Sequence, residues 1–289
     1  MASAAPINLG SVGSLWRYPV KSMMGEQLSA AAVLERGLLG DRAYALVDSS
    51  DGKIATAKNP RKWPTLFAFR ATFLKPSGSH VRIPPVRITL PDGTFVTSEQ
   101  RDINAVLSRV LSREVILAVT EPRQEAEGPS PGPGPSTAKA EEYWPDLEGL
   151  DHRDTVTDFT LPTGTFFDGA TVHVLTSATL NALRDSYSQG RFEVPRFRPN
   201  IVVDLAGGEK GFIEQAWIGR TLAIGGEVRL SITGPCGRCV MTTLAQGNLP
   251  YDTGILRTAV QRNQGAVGVY AAVVRGGTIR RGDWVRLDA

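Results

Sequence analysis

The 289-residue sequence has little cysteine, little histidine and no long hydrophobic run. Its two cysteines are too few for a disulfide framework, and none of its three histidines stands at zinc-finger spacing. No stretch approaches the roughly 18 consecutive apolar residues of a membrane-spanning helix. The N-terminus has no charged segment followed by an apolar run. We therefore expect a protein without membrane insertion that stays in the cytoplasm.

An excess of one charge is also missing. The chain carries 32 Lys and Arg against 29 Asp and Glu, which gives a formal net charge of +3. This balance gives no reason to expect binding to nucleic acid or to a membrane surface. The hydrophobic content of 42% supports a core, and the length allows one large domain or two modest ones.

One segment divides the chain. Residues 121–142 are rich in Pro, Gly, Glu and Ser, which predicts a linker or mobile loop between an N-terminal domain, residues 9–120, and a C-terminal domain, residues 143–289. Short alternating runs precede it, with a hairpin turn at Pro91-Asp92-Gly93 and an amphipathic helix within 101–115. The first domain is thus predicted to be small and strand-rich.

After residue 143, a strand runs into a helix over residues 171–187, with Thr176 or Ser177 at the N-cap. A second helix is predicted over residues 255–264, between further short strands separated by glycine-rich turns. This pattern favours a mainly β fold with some α-helix, in the α+β class, and a barrel in the C-terminal part. The basic stretch "TAKNPRKWP", residues 56–64, is interpreted as a solvated turn in preference to the alternative that it borders a substrate site with Trp63.

Both cysteines lie in "GPCGRCVMTT", residues 234–243. A structural zinc site would need more ligands, and a dithiol redox motif would need a helix N-terminus where this stretch has β-branched neighbours. A buried pair of small apolar side chains at a turn also fits the composition. The glycines and Pro235 indicate a tight turn, and Arg238 would stabilise an adjacent thiolate, which is a suitable metal ligand. The residues alone leave these alternatives open.

Several separated motifs resemble one family. "LWRYPVKSMMGE" and "GLLGDRAYALVD" in the first half, and "LTSATLNAL", "FRPNIVVD" and "CGRCVMTT" in the second, resemble the MOSC domain family. They are most similar to the branch that contains the mitochondrial amidoxime-reducing component and its bacterial relatives. The resemblance implies a MOSC-type β-barrel with a smaller, strand-rich N-terminal domain of the β-barrel-like type.

The resemblance also implies a cofactor and its ligands. In that family the cysteine of the "RC" pair binds the molybdenum of a molybdopterin cofactor, which makes Cys239 the metal ligand and catalytic residue, and Cys236 the more dispensable thiol. Cationic, amide and helix-N-terminal groups suit the phosphate and pterin of such a cofactor. The cofactor contacts implied in this way are Lys21, Arg42, Thr176, Ser177, Arg198, Asn200 and Arg238.

The activity that the resemblance implies is that of a molybdenum-cofactor-dependent oxidoreductase that reduces N-oxygenated small molecules or related oxygen-transfer substrates. The chain shows no further cysteine cluster and no nucleotide-binding glycine motif, so we expect a separate flavin or iron–sulfur protein as electron donor. Two alternatives stay open: a sulfur carrier that holds a persulfide on Cys239, and a cofactor-binding module without turnover.

Overall fold

A computed structural model describes residues 7–74, 83–120, 138–149 and 153–288. Within these ranges the chain forms short strands and four α-helices. The strands are β1 (Ile7–Arg17), β2 (Glu26–Leu28), β3 (Ala30–Leu34), β4 (Gly37–Leu38), β5 (Tyr44–Asp48), β6 (Arg70–Phe73), β7 (Val86–Thr89), β8 (Phe95–Thr97), β9 (Val115–Val119), β10 (Lys139–Trp144), β11 (Thr155–Thr160), β12 (Val172–Thr176), β13 (Ile201–Leu205), β14 (Thr221–Ile224), β15 (Val228–Gly237), β16 (Ala266–Arg275), β17 (Gly277–Arg280) and β18 (Trp284–Leu287). The helices are α1 (Ile103–Leu111), α2 (Ser177–Ser186), α3 (Val194–Phe197) and α4 (Gly254–Asn263).

Strands from both ends of the chain close a barrel. The strand order is β13-β12-β16-β15-β14-β18-β1, and β1 pairs back onto β13 in antiparallel register. Alternating side chains such as Val12, Leu15, Val203 and Leu230 are buried in its core, as expected for strands with one face turned inward. The predicted mainly β fold of the α+β class, with a barrel, is confirmed.

The N-terminal part forms a second, smaller core. The pair β5–β9 and the sheet β6-β7-β8 lie with α1 around a cluster that includes Met23, Phe69 and Leu107. The predicted hairpin connects β7 to β8, with Gly93 at a φ of 85° in its turn, and the predicted helix is α1. However, β1 belongs to the barrel and β3 pairs with β17, so the two parts of the chain interlock.

The end of the predicted linker is a strand. Residues 139–142 lie in β10, which pairs with β11 along its whole length. Ala140 is fully buried, and Glu141 accepts a hydrogen bond from the Lys53 Nζ at 2.8 Å. Composition alone missed these contacts because they come from residues distant in sequence. Residues 121–137 lie outside the described part of the chain.

The predicted transition from strand to helix occurs at Thr176, where β12 ends and α2 begins. The Thr176 hydroxyl oxygen accepts a hydrogen bond from the backbone N of Thr179 at 3.1 Å and thereby caps the helix. Both threonine hydroxyls donate to the buried carboxyl of Glu214, each at 2.7 Å. Burial raises the pKa of Glu214 above its ordinary value, against the opposing effect of these hydrogen bonds.

We expect Glu214→Gln to gain stability relative to the wild type as pH rises above about 4.3, the ordinary pKa of a glutamate carboxyl. A carboxyl whose pKa is raised by folding holds its proton more tightly in the folded protein, so the wild-type free energy of unfolding falls as pH rises from the unfolded to the folded pKa. Glutamine keeps the shape and an acceptor oxygen but cannot ionise. Urea unfolding of both proteins at several pH values measures the difference. A difference that stays constant with pH would contradict the expectation.

Candidate cofactor site

A pocket opens where the N-terminal part meets the barrel. The space between its walls, part of it open to solvent, amounts to about 690 Å³. Its lining comes from loops after β1, β4 and β5, from the loop before β12, and from the ends of α3 and β15. The lining residues are Lys21, Ser22, Arg42, Lys58, Phe166, Phe167, Asp168, Gly169, Ala170, His173, Phe197, Arg198, Asn200, Cys236, Gly237, Arg238, Cys239, Met241 and Tyr270.

The charge of this lining is strongly positive. It contains five cationic side chains, those of Lys21, Arg42, Lys58, Arg198 and Arg238, and Asp168 supplies the only carboxylate of the described lining. A cleft with low-dielectric walls and charges of one sign attracts ligands of the opposite sign. The pocket therefore suits an anionic ligand, although the whole chain is close to neutral.

Asp41 joins three separated motifs behind the pocket. Its side chain has no exposed surface. One carboxylate oxygen accepts a hydrogen bond from the backbone N of Tyr18 at 2.7 Å, and the other accepts from the Asn200 amide at 2.8 Å. The second oxygen also pairs with the Arg42 guanidinium. Asp41 thus fixes the "DR" motif, the segment after β1 and the segment before β13 against one another, a role that sequence reasoning missed.

Two arginines lie on the ring of Tyr18. The guanidinium carbons of Arg42 and Arg198 are 4.6 and 4.2 Å from the ring centroid. Arg198 also donates to the backbone carbonyl of Met23 at 2.6 Å. Burial and then the nearby charge of Arg42 lower the pKa of Arg198 to about 10, so the Arg198 guanidinium remains cationic at neutral pH. A bound anion would relieve the repulsion between them.

The lysines form a second cationic group around Asp168. Lys21 donates to the backbone carbonyl of Phe166 at 2.9 Å and pairs with Asp168. Lys58 donates to Glu142 at 3.1 Å, and its Nζ lies 3.6 Å from Asp168. Burial of Asp168 opposes its ionisation, but the two lysines outweigh this effect and hold its pKa well below the usual range. Lys58 belongs to the stretch interpreted as a solvated turn, and that interpretation is wrong for this side chain, which lines the pocket.

The two cysteines have different surroundings. Cys236 is 1% exposed near the end of β15, and its Sγ accepts a hydrogen bond from Arg238 Nη1 at 3.0 Å. Cys239 is only partly buried and directly precedes the 3-10 turn Val240–Thr243. Burial raises the pKa of the Cys239 thiol to about 11, with Lys58 acting in the opposite direction. A coordinated metal reverses this preference, because it deprotonates a thiol ligand.

The pocket brings together six of the eight residues predicted for the site, namely Lys21, Arg42, Arg198, Asn200, Arg238 and Cys239. Asn200 lies on the wall, but its amide is engaged within the protein: Nδ2 bonds to Asp41, and Oδ1 accepts from the backbone N of His173 at 3.1 Å. No local sequence pattern indicates that this amide serves the protein's own packing.

Thr176 and Ser177 are absent from the described lining. Thr176 is fully buried and its hydroxyl donates to Glu214, while the Ser177 hydroxyl donates to the backbone carbonyl of Val203 at 3.4 Å. The helix N-terminus at these residues exists as expected, but both hydroxyls already have partners within the protein. Their predicted contact with a cofactor stays a prediction, and it is not part of the site as the pocket defines it.

The residues of the pocket fit a molybdenum–pterin cofactor. Arg238 Nε is buried and has no hydrogen-bond partner among the described residues, so it is available to a ligand acceptor. In the same described ranges, no group of three or more His, Cys, Asp or Glu side chains could hold a metal ion. The pocket therefore offers a metal the partly exposed thiol of Cys239, together with cations for an anionic cofactor that brings further ligands of its own, while the Cys236 sulfur is buried and bonded to Arg238.

The chain belongs to the MOSC domain family: the MOSC domain matches residues 162–286, and the MOSC N-terminal beta barrel domain matches residues 9–111. MOSC domains are associated with binding of the molybdenum cofactor. The chain is 25% identical to mitochondrial amidoxime-reducing component 1 of Mus musculus over 323 aligned residues, covering 96% of this chain and 82% of the relative. The family resemblance predicted from the motifs is thus confirmed.

Two solved structures are also similar. The YuaD protein of Bacillus subtilis shares 11% identity and a TM-score of 0.47, with 97% of this chain and 96% of that chain covered. YiiM of Geobacillus stearothermophilus shares 16% identity and a TM-score of 0.32 over 42% of this chain and 55% of that chain. In the part of the chain that the structure describes, none of the helices has the length and apolar character needed to cross a membrane.

Proposed function

We propose that this protein binds a molybdenum cofactor and uses it to reduce N-oxygenated small molecules, such as hydroxylamines or amidoximes, or related oxygen-transfer substrates. The observation that carries the proposal is the convergence of five cationic side chains on a pocket that also contains the Cys239 thiol. The similarity to a relative whose name states amidoxime reduction supports this choice of substrate.

The pocket residues have two separate roles, one toward the metal and one toward the phosphate and pterin of the cofactor. Cys239 would bind the metal, and Lys21, Arg42, Arg198 and Arg238 would neutralise the phosphate and donate to pterin oxygens. When bound, the cofactor supplies the two-electron chemistry that accepts the oxygen of the substrate. The chain positions it, and apolar walls such as Phe167 and Met241 limit water around the charged groups and strengthen their interactions.

The partners of this reaction belong to the same proposal. Each turnover consumes two electrons, which a separate flavin or iron–sulfur protein would deliver. The cytoplasmic location expected from the N-terminal sequence also stays a prediction.

The test is to produce the protein in a host that synthesises the cofactor, and to measure molybdenum per chain, pterin per chain and reduction of an amidoxime with an artificial electron donor. Molybdenum and pterin near one per chain, with turnover, would support the proposal. Pterin without turnover would instead identify a cofactor-binding module. A persulfide on Cys239 without molybdenum would identify a sulfur carrier.

Arg198→Ala is expected to lower the pterin retained per chain by about tenfold or more, because charge-assisted hydrogen bonds in a buried site contribute about 1.5–3 kcal/mol each. Arg198→Lys keeps the charge but loses the planar, two-pronged guanidinium, so its pterin content should lie between those of the wild type and Arg198→Ala. Arg281→Ala is the matched control, since Arg281 is exposed and lies outside the pocket. Pterin fluorescence of the purified proteins gives the occupancy, and equal values for Arg198→Ala and Arg281→Ala would refute the assignment.

A further inference from the structure

The fully buried cysteine of the motif has a defined contact. Cys236 lies with its sulfur in the interior, and Arg238 Nη1 donates to that sulfur at 3.0 Å. The side chain of Tyr270, from the neighbouring strand β16, interacts with the same sulfur. Sulfur is a weak acceptor in water, but a cationic donor in a buried setting strengthens the bond.

The guanidinium of Arg238 is held on one side only. Its Nη1 is shared between the Cys236 sulfur and the backbone carbonyl of Phe197, which is 3.2 Å away. Its Nε has no hydrogen-bond partner among the described residues, although it is buried. A buried donor without a partner is costly, so this edge of the guanidinium is the part that a ligand would satisfy.

We propose that Cys236 is a positioning residue: its sulfur holds Arg238 Nη1 against the pocket wall and so leaves the unpaired part of the guanidinium for a phosphate or another oxyanion group of the ligand. The inference deepens the proposed function, since it rests on an anionic cofactor occupying the same pocket. The proposal also gives the two cysteines of the motif different roles. Cys239 provides the metal ligand, and Cys236 acts through Arg238 without touching the metal.

The proposal requires that Cys236 and Arg238 act as one unit. We expect Cys236→Val, which replaces the thiol by two methyl groups and removes the acceptor, to weaken binding of inorganic phosphate to the cofactor-free full chain by about threefold to tenfold. The same substitution in an Arg238→Ala background should have no further effect. Cys236→Ser should restore most of the affinity, because a hydroxyl oxygen accepts the same hydrogen bond.

Titration calorimetry measures phosphate affinity for the wild type, for Cys236→Val, Cys236→Ser and Arg238→Ala, and for the double variant that combines Cys236→Val with Arg238→Ala. Together these values form a double-mutant cycle. Pterin retained per chain, after production in a cofactor-competent host, provides a second readout on the same variants. A purely packing role predicts lower thermal stability with unchanged phosphate affinity. An equal loss of affinity with and without Arg238, or failure of Cys236→Ser to recover it, would also overturn the proposal. The phosphate-binding measurements on these variants depend on neither molybdenum nor turnover. Failure of the proposed reductase function would instead appear as missing molybdenum or missing amidoxime reduction.

Discussion

Cys239→Ala should lower amidoxime reduction by at least about a hundredfold, since even residues that only support a metal ligand typically contribute ten- to a hundredfold. The substitution removes the pocket's candidate metal-binding thiol, while Lys21, Arg42, Arg198 and Arg238 remain to hold the pterin. Molybdenum per chain should fall with activity, and pterin per chain should fall much less. The three quantities, measured on one preparation, separate loss of the metal from loss of the cofactor.

The control for this experiment is Thr233→Ala, an exposed position outside the pocket on β15, the strand that precedes Cys239. It should retain metal and activity. Because Cys239 is only partly buried, both variants should melt within about 4 °C of the wild type. Full turnover by Cys239→Ala, or a wild type without molybdenum, would show that the proposed mechanism is wrong.

Asp41→Ala is expected to lower the free energy of unfolding by about 3–5 kcal/mol, which is typical when one partner of a buried ion pair is removed. The Asp41 carboxylate accepts hydrogen bonds from the Tyr18 backbone and the Asn200 amide and pairs with Arg42, so its loss leaves all three groups without this partner. Urea unfolding of the purified proteins measures the change. The loss should be accompanied by lower pterin occupancy, because Arg42 also lines the pocket.

Asp185→Ala provides the comparison. Asp185 is an exposed carboxylate of α2 whose contact with Lys210 at 3.7 Å lies at the surface, where such pairs contribute about 0–1 kcal/mol. Asp41→Asn is informative as well, because it keeps an acceptor for the Tyr18 backbone but presents a donor to Asn200 or Arg42. Similar stabilities for Asp41→Ala and Asp185→Ala would mean that the buried carboxylate does not organise the site.

The sequence predicted the elements whose determinants are local. The turn at Pro91-Asp92-Gly93, helix α1 and the capped start of α2 each depend on a few neighbouring residues, and each is present. The motif residues of the site were identified only through the family resemblance. A lone lysine or arginine carries no local indication that it will line a pocket.

The remaining part of the site depends on contacts between distant residues. Lys58 lines the pocket because Asp168 and Glu142 approach it from more than eighty positions away, which a reading of its basic neighbours cannot reveal. The same holds for Asp41 and Asn200, which are 159 residues apart and share one hydrogen bond. For Thr176 the local position was predicted correctly, since it lies at a helix N-terminus. The hydrogen bond that its hydroxyl donates to the buried carboxyl of Glu214 was not predicted.

The pairing of β1 with β18 also sets the order in which the protein can be completed. Ile7 lies opposite Leu287, so the barrel cannot close on the ribosome before nearly the whole described chain has emerged. Pairings between such distant segments make folding slow. Lys21 and Arg42 follow β1, whereas Arg238 of the same cationic wall comes much later in the chain, and the barrel that supports this wall closes only when β18 pairs with β1. Loading of the proposed cofactor is therefore expected only once β18 has emerged, and chains stalled before β18 should accumulate without bound pterin.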